Sequence, residues 1–386
     1  MTERSLFGEI TVEQFLAEYW QKKPLLIRGA FADFEFPVDA DELAGLACEA
    51  DVESRLITQS ADGEQFKLSH GPLDESVFAE LPEKDWTLLV QAVDHWVPQA
   101  AELMQHFNFA PNWRLDDLMI SYAADGGGVG PHYDNYDVFL IQAAGKRRWE
   151  VGGLFGEESP RKPDIPVMIL PEFQPEQSWE LEPGDMLYLP PQVGHNGVAV
   201  GDGCMTYSVG FRAPSHAELF QSFSRRLADE LLSEVRYADP ALPLQENPGE
   251  ITGQALDQVK QLMQSYLDDP ARLSQWFGEY MTEPKYPELA AGNEGDAVEL
   301  AEIDGLYRTE GARLAWHQLA DDSFTLFADG QSHRFTEAEL PLVQAITEEY
   351  AFGLPEDLSD AETALLQALI QQGALHSGEE YDDEEG

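Results

Sequence analysis

Residues 113–214 are a succession of short β-type runs cut by glycine and proline, and one of those cuts carries a His-x-Asp pair, His132 and Asp134. Residues two apart on a strand project from one face, so this imidazole and carboxylate can converge on a point. A third donor is His195, in Leu-Pro-Pro-Gln-Val-Gly-His, where a second strand could run beside the first. Two histidines and one carboxylate on one face of a metal ion leave positions open, the donor set of a non-haem Fe(II) site. The competing reading is ordinary surface or core histidines, because a lone His-x-Asp arises often by chance. Context favours the metal: a Gly126-Gly127-Gly128 approach, a following apolar run at 138–142, and a Pro-Gly-Asp turn, strand and histidine downstream. His70, His95, His106 and His333 lack this setting and are expected to be structural or solvent-facing.

The runs at 117–122, 138–142, 147–151, 186–189 and 206–211 are bounded by Gly145, Gly184 and Pro190-Pro191. Short strands at near-even spacing with metal ligands at their ends predict a double-stranded β-helix, the jelly-roll or cupin barrel. Before it, 11–20 reads as a helix opened by a Thr11/Gln14 capping box, 25–28 as a strand, 39–49 as a helix, and 55–58 and 65–69 as strands. Residues 86–96 read as a third helix with Leu88, Leu89, Ala92, Val93 and Trp96 as its buried stripe. After Pro214, helices are expected at 216–232, 253–267 and 273–280, then a Pro-, Gly- and Glu-rich linker at 282–298. A small α+β unit with strand segments at 313–319 and 323–328 fits a winged helix. The expected organisation is α+β: an N-terminal elaboration of the barrel (1–112), the barrel (113–214), a helical dimerisation region (215–285), the winged-helix-like domain (299–377) and an acidic, disordered tail (378–386).

Charge restricts the partners. Against 23 Lys+Arg stand 72 Asp+Glu, a formal net charge of -49. Phosphate neutralisation needs a basic surface, so direct DNA binding is not expected and a basic partner is favoured; plain solubility or a saline habitat explains the same charge without a partner. The two cysteines, Cys48 and Cys204, form no metal-binding pair and suit a reducing, cytoplasmic setting. No signal peptide or membrane-spanning run is read.

An Fe(II) oxygenase that splits O₂ needs two electrons beyond those of simple substrate oxidation, and a 2-oxo acid cosubstrate can supply them. A dicarboxylate that chelates the metal at one end needs a cation for its far carboxylate. Lys146, Arg147 and Arg148 offer one; strand alternation points Arg147 opposite to its neighbours, and a guanidinium matches a carboxylate bidentately. The alternative is that all three are exposed sheet charges.

The stretches Gly128-Val129-Gly130-Pro131-His132-Tyr133-Asp134-Asn135-Tyr136-Asp137-Val138-Phe139-Leu140-Ile141-Gln142, Gly145-Lys146-Arg147-Arg148-Trp149, Pro190-Pro191 before His195, and Tyr207-Ser208-Val209-Gly210-Phe211-Arg212-Ala213-Pro214 resemble the JmjC-domain ribosomal oxygenases, over nearly the whole chain their bacterial members. The resemblance implies a JmjC barrel, a helical dimerisation region giving a homodimer, and a C-terminal winged helix. It implies Fe(II), held by His132, Asp134 and His195, and 2-oxoglutarate, its distal carboxylate on Arg147, with O₂ as oxidant. It places Asp117, Met119, Tyr136 and Ser208 around a target arginine of large-subunit ribosomal protein sixteen. Asp117 also has a rationale of its own, since a carboxylate at a pocket mouth pairs with a guanidinium, or it is a strand-edge charge in an acidic protein. The alternatives are histidine hydroxylation, demethylation of a methylated side chain, and a non-catalytic metal-binding cupin interaction protein.

Overall fold

The computed structural model describes residues 6–32, 34–60, 65–290, 299–320, 323–355 and 357–378. In chain order its first half contains α1 (Val12–Glu18), β1 (Leu25–Ile27), α2 (Ala40–Leu46), β2 (Ser54–Gln59), β3 (Phe66–His70), α3 (Ser76–Ala79), β4 (Trp86–Val90), α4 (Pro98–Met104), β5 (Leu115–Ala123), β6 (Val138–Leu154), β7 (Gln177–Leu181), β8 (Met186–Leu189) and β9 (Val193–Phe211). The hydrogen-bonded order is β1-β8-β6-β9-β5-β4-β2-β3, with β7 added beside β6.

The barrel is organised by β6 and β9, which pair antiparallel from Val138↔Gly210 to Leu154↔Val193. The runs expected separately at 138–142 and 147–151 are thus one strand. Its first part takes β8 as second neighbour and its later part β7. Register shifts between Gln142 and Lys146 bend it, and the bend needs Gly145: φ is +59°, and a Cβ there would lie 2.7 Å from the Gly203 carbonyl oxygen. The shifts also change which alternate residues face inward. Val138 and Leu140 share an inner cluster with Trp149, Val151, Leu187, Leu189 and Val193, whereas Phe139 and Ile141 face the other way into the main core.

That main core is where the N-terminal elaboration covers the barrel. Phe15 of α1 is fully buried, stacks on Phe7 at 4.2 Å and meets Tyr188 edge-on at 5.0 Å. The expected capping box at Thr11 and Gln14 is present and starts this helix at the right turn. Such aromatic burial is worth roughly 2–3 kcal/mol per ring.

One expected helix is absent. Residues 86–90 form β4, between β2 and β5, and Ala92 then adopts a left-handed conformation, φ 51° and ψ 46°, that ends the strand. Leu88, Leu89 and Val90 are all buried; a strand covered on both faces reads as a continuous apolar run, which periodicity alone does not separate from a helix.

The second half contains α5 (His216–Glu230), α6 (Gly253–Leu267), α7 (Pro270–Thr282), α8 (Pro287–Ala290), β10 (Gly305–Arg308), β11 (Leu314–Gln318), β12 (Phe324–Ala328), β13 (Gln331–Phe335), α9 (Leu340–Glu348), β14 (Ala351–Gly353), α10 (Asp360–Gln371) and β15 (Leu375–His376). The sheets β11-β12-β13 and β14-β10-β15 and the helices α9 and α10 share one core around Leu326, Val343, Ile346, Leu366 and Leu369, a winged helix. Helix α7 joins the halves: Phe277 packs edge-on against Trp113 at 5.4 Å, Gly278 lies close enough to the Phe327 ring that a Cβ would approach it to 2.3 Å, and Trp276 packs edge-on against Phe223 of α5. The stretch read as a linker includes α8; residues 291–298 of it, and 379–386 of the acidic tail, lie outside the described residues.

Candidate metal centre and the pocket behind it

His132 and Asp134 do not sit on a ladder strand, as the sequence suggested. The segment between β5 and β6 touches the start of β9 through a single antiparallel bridge, His132↔His195, whose N–H groups donate to each other's carbonyls at 2.9 and 2.8 Å. Asp134 follows in irregular backbone, its carbonyl accepting from the Gln192 N–H at 2.7 Å. The bridge serves in place of a strand and brings the three side chains together: one donor atom from each of His132, Asp134 and His195 lies within 4.8 Å of the others. Donors about 2.1 Å from a common ion are roughly 3–4 Å apart, and His195 Nε2 lies 3.5 Å from Asp134 Oδ2. Each imidazole is oriented from behind, His132 Nδ1 at 2.9 Å from the Gly130 carbonyl and His195 Nδ1 at 3.0 Å from the Val193 carbonyl. Donation by Nδ1–H leaves Nε2 as the ligating atom. Burial, then the neighbouring His132, push the His195 pKa down to about 4, so the neutral form that binds metal prevails at neutral pH.

Further into the barrel the side chain of Arg147 is 5% exposed, while Lys146 and Arg148 are exposed. Lys146 is occupied with Glu182 at 2.6 Å. Arg147 has little to hold: Nε donates to Cys204 Sγ at 3.4 Å, the guanidinium lies 5.7 Å from the Trp149 ring centroid, and among the described residues the buried Nη2 has no acceptor. Trp149 Nε1 is likewise buried without an acceptor, and its ring lies 5.9 Å from that of His195. Buried donors left unpaired cost free energy. Two of them on the wall running from the metal cluster fit an anionic, oxygen-rich ligand that chelates an ion at its other end. Trp149 was not singled out in the sequence, though its position two residues from Arg147 puts it on the same face.

The remaining expected positions lie on β5, on β9 and in the segment between β5 and β6. Met119 on β5 and Ser208 on β9 are direct register partners, with Ser208 also opposite Leu140 of β6. Tyr136 is 42% exposed; desolvation first, then the fields of Asp134, Asp117 and Asp116, push its pKa up. Asp117 is buried, and burial raises its carboxyl pKa against the pull of Lys285. Its Oδ2 accepts from Gln91 Nε2 at 2.6 Å and the Ala92 N–H at 3.0 Å and pairs with Lys285 Nζ at 3.2 Å. Gln91, Cys204 and Lys285 were not foreseen; the first sits where a helix was expected, and Lys285 belongs to another part of the chain.

A double-stranded β-helix with a His-x-Asp…His cluster at its mouth and a buried cation behind it defines the class, a JmjC-type oxygenase barrel. The JmjC domain matches residues 102–219 and the ROXA-like winged helix residues 261–376. The Ribosomal protein uL16 3-hydroxylase of Escherichia coli is 38% identical over 358 residues, covering 90% of this chain and 91% of its own length. A crystal structure of E. coli YcfD superposes with a TM-score of 0.82 at 34% identity, covering 95% of this chain and 98% of that one. The structure of YcfD, a ribosomal oxygenase, in complex with cobalt and 2-oxoglutarate gives 0.80 at 34% identity with the same coverage. The chain belongs to the JmjC-domain ribosomal oxygenase family.

Proposed function

We propose that this protein is an Fe(II)- and 2-oxoglutarate-dependent dioxygenase that hydroxylates an arginine side chain of the large-subunit ribosomal protein uL16. The observation that carries the reading is the convergence of three metal donors and, nearby, a buried guanidinium whose Nη2 has no acceptor among the described residues. The bound cobalt and 2-oxoglutarate of the E. coli relative and its name as a uL16 3-hydroxylase support it.

His132, Asp134 and His195 would hold the iron through two imidazole nitrogens and one carboxylate. Arg147 takes the distal carboxylate of 2-oxoglutarate in charge-assisted hydrogen bonds, and Trp149 Nε1 is a further donor on the same wall. When bound, iron and 2-oxoglutarate supply the oxidant from O₂, with the 2-oxo acid leaving as succinate and CO₂ and one oxygen atom inserted into a substrate C–H bond. Asp117 recognises the guanidinium of the incoming arginine; Met119, Tyr136 and Ser208 shape the slot for its aliphatic stem. The apolar lining of the barrel keeps bulk water from the reacting centre.

The net charge of -49 suits a basic ribosomal protein, steering it to the mouth and opposing nonspecific contact with nucleic acid; the winged helix does not bind DNA in this reading. Leu232, Leu244, Ile251 and Met263 of the α5–α6 region are exposed, a patch suited to a homodimer contact. Among the described residues no helix is long and apolar enough to cross a membrane, and a cytoplasmic site of action fits the ribosomal substrate.

The test is mass spectrometry of ribosomal proteins incubated with enzyme, Fe(II) and 2-oxoglutarate, beside His132→Ala. One added oxygen on an arginine of uL16, absent with the variant, supports the reading. Modification of a histidine, loss of a methyl group, or no mass change on any ribosomal protein overturns it.

A further inference from the structure

At the start of β5 three carboxylates crowd together. Asp94 Oδ1 is tied to the Leu118 N–H at 2.8 Å, and Asp116 and Asp117 are adjacent in sequence. Like charges this close, with little water, disfavour ionisation of all three. The cations that offset them come from far along the chain. Lys285, between α7 and α8, places Nζ 3.0 Å from Asp116 Oδ2 and 3.2 Å from Asp117 Oδ2. Arg313, entering β11 of the winged helix, places Nη2 2.6 Å from Asp116 Oδ1 and 3.2 Å from the Asp116 carbonyl oxygen. Both oxygens of Asp116 are thereby used. Asp117 differs: its three donors, from Gln91, Ala92 and Lys285, converge on Oδ2, and no described group donates to Oδ1. That oxygen faces Gly210 of β9, lying 3.6 Å from where a Cβ would sit there. Gly210 is two residues from Ser208, which pairs with Met119, so Oδ1 lies beside β9 close to that pair.

We propose that Lys285 is a positioning residue for substrate recognition: it pins one oxygen of Asp117 and leaves the other aimed at the cationic side chain that enters the pocket. The inference rests on the proposed arginine hydroxylase reading and assigns a role to the C-terminal half of the chain. The segment leading to the winged helix supplies, through Lys285, the far side of the recognition carboxylate, and Arg313 of the winged helix holds the neighbouring Asp116. Because Lys285 touches neither metal donors nor Arg147, its removal acts on substrate affinity and leaves the oxidising chemistry alone. Burial opposes the charge on Lys285, but Asp117 and Asp116 hold its pKa above the usual lysine range, so the ammonium persists throughout the physiological range.

The experiment compares full-length wild type, Lys285→Met, Lys285→Arg and Asp117→Asn. Kinetics with uL16 give KM and kcat, substrate-free conversion of 2-oxoglutarate to succinate gives the uncoupled rate, and calorimetric titration with L-arginine amide gives an affinity that needs no ribosomal protein. For Lys285→Met the expected result is a KM and an arginine-amide Kd raised tenfold or more, with kcat and uncoupled succinate production within twofold of wild type. Lys285→Arg should recover KM to within about threefold, and Asp117→Asn should abolish amide binding. An unchanged KM and Kd for Lys285→Met overturns the proposal. So does a parallel fall in kcat, uncoupled rate and melting temperature, which would make Lys285 a simple domain tie. If wild type binds arginine amide with this dependence on Lys285 but modifies no ribosomal protein, the reading of the substrate falls and the role of Lys285 stands. If wild type neither modifies uL16 nor binds the amide, both fall.

Discussion

Arg147→Met is expected to remove 2-oxoglutarate binding without weakening the ligand-free protein, and the structure sets the size of both effects. Arg147 is 5% exposed, its buried Nη2 has no acceptor among the described residues, and Nε makes one long contact to sulfur at 3.4 Å. An uncompensated buried cation is a cost to the fold, and replacement by an apolar side chain of similar length is neutral or stabilising, by about 1–4 kcal/mol in comparable buried sites. With the ligand present the balance reverses. A carboxylate brought to a wall without its cation loses a charge-assisted pair and stays desolvated, a loss of about 3–4 kcal/mol. At 1.4 kcal/mol per decade this is roughly a 140- to 700-fold rise in Kd. The assay is anaerobic calorimetric titration of 2-oxoglutarate into enzyme loaded with a redox-inert divalent ion, paired with thermal unfolding with and without the cosubstrate. Wild type held at 100 times its Kd should gain about 2.7 kcal/mol from the ligand; the variant at the same concentration should gain almost none, from a ligand-free midpoint no lower than wild type. Arg147→Lys, which keeps the charge but loses the fork, should fall between. A variant that binds within threefold of wild type refutes the assignment. So does one that loses affinity and ligand-free stability together, because Arg147 would then be a structural residue already paired in the resting protein.

Two further outcomes follow from buried polar groups. Asp137 is fully buried and accepts from the Tyr188 hydroxyl at 2.7 Å, Gln21 Nε2 at 2.9 Å and Arg114 Nη2 at 3.3 Å; Asp137→Ala strands these donors and should cost about 3–5 kcal/mol, read as a lower urea midpoint, and a loss under 1 kcal/mol would refute the network. His95 lies at the contact with the winged helix, where burial, then Arg313 and Lys285, push its pKa down to about 4. Since an unfolded imidazole titrates near 6.5, at roughly that pH the unfolded chain begins to hold more protons than the folded one. The stability present above that pH is therefore lost as pH falls toward 4, at no more than about 1.4 kcal/mol per pH unit. His95→Phe lacks this loss, so the stability difference between wild type and variant should narrow from pH 7 to pH 5; a constant difference refutes the depressed pKa.

What the sequence disclosed and what it hid divide along the distance over which each feature is built. The barrel was legible because its strands are punctuated locally by Gly184 and Pro190-Pro191, while Gly145 marks a bend within β6, and its geometry follows from neighbouring pairings such as Met186↔Ile141. The 86–96 segment was misread for an equally local reason: β4 is covered on both faces, so its apolar run lost the alternation that marks a strand. His132, Asp134 and His195 drew attention through residue type and spacing, yet a strand was the wrong vehicle for the first two; one bridge between their irregular segment and the start of β9 brings the three together. The alternation that set Arg147 against Lys146 and Arg148 is the arrangement found, although the bulges before it mean that counting inward-facing positions from Leu140 would have reached the wrong parity. Nothing local could have shown that Asp117 is held by Lys285, because that pair closes only when the segment beyond α7 returns to β5. The same holds for Arg313, which is 197 residues from Asp116. The groups that define the oxidising chemistry thus sit on a loop and two paired strands and leave a trace in spacing, whereas the group proposed to choose the substrate is held by partners from two other parts of the fold. A change in substrate preference can accordingly arise far from the barrel, through any substitution that moves Lys285, without altering a residue of the metal centre.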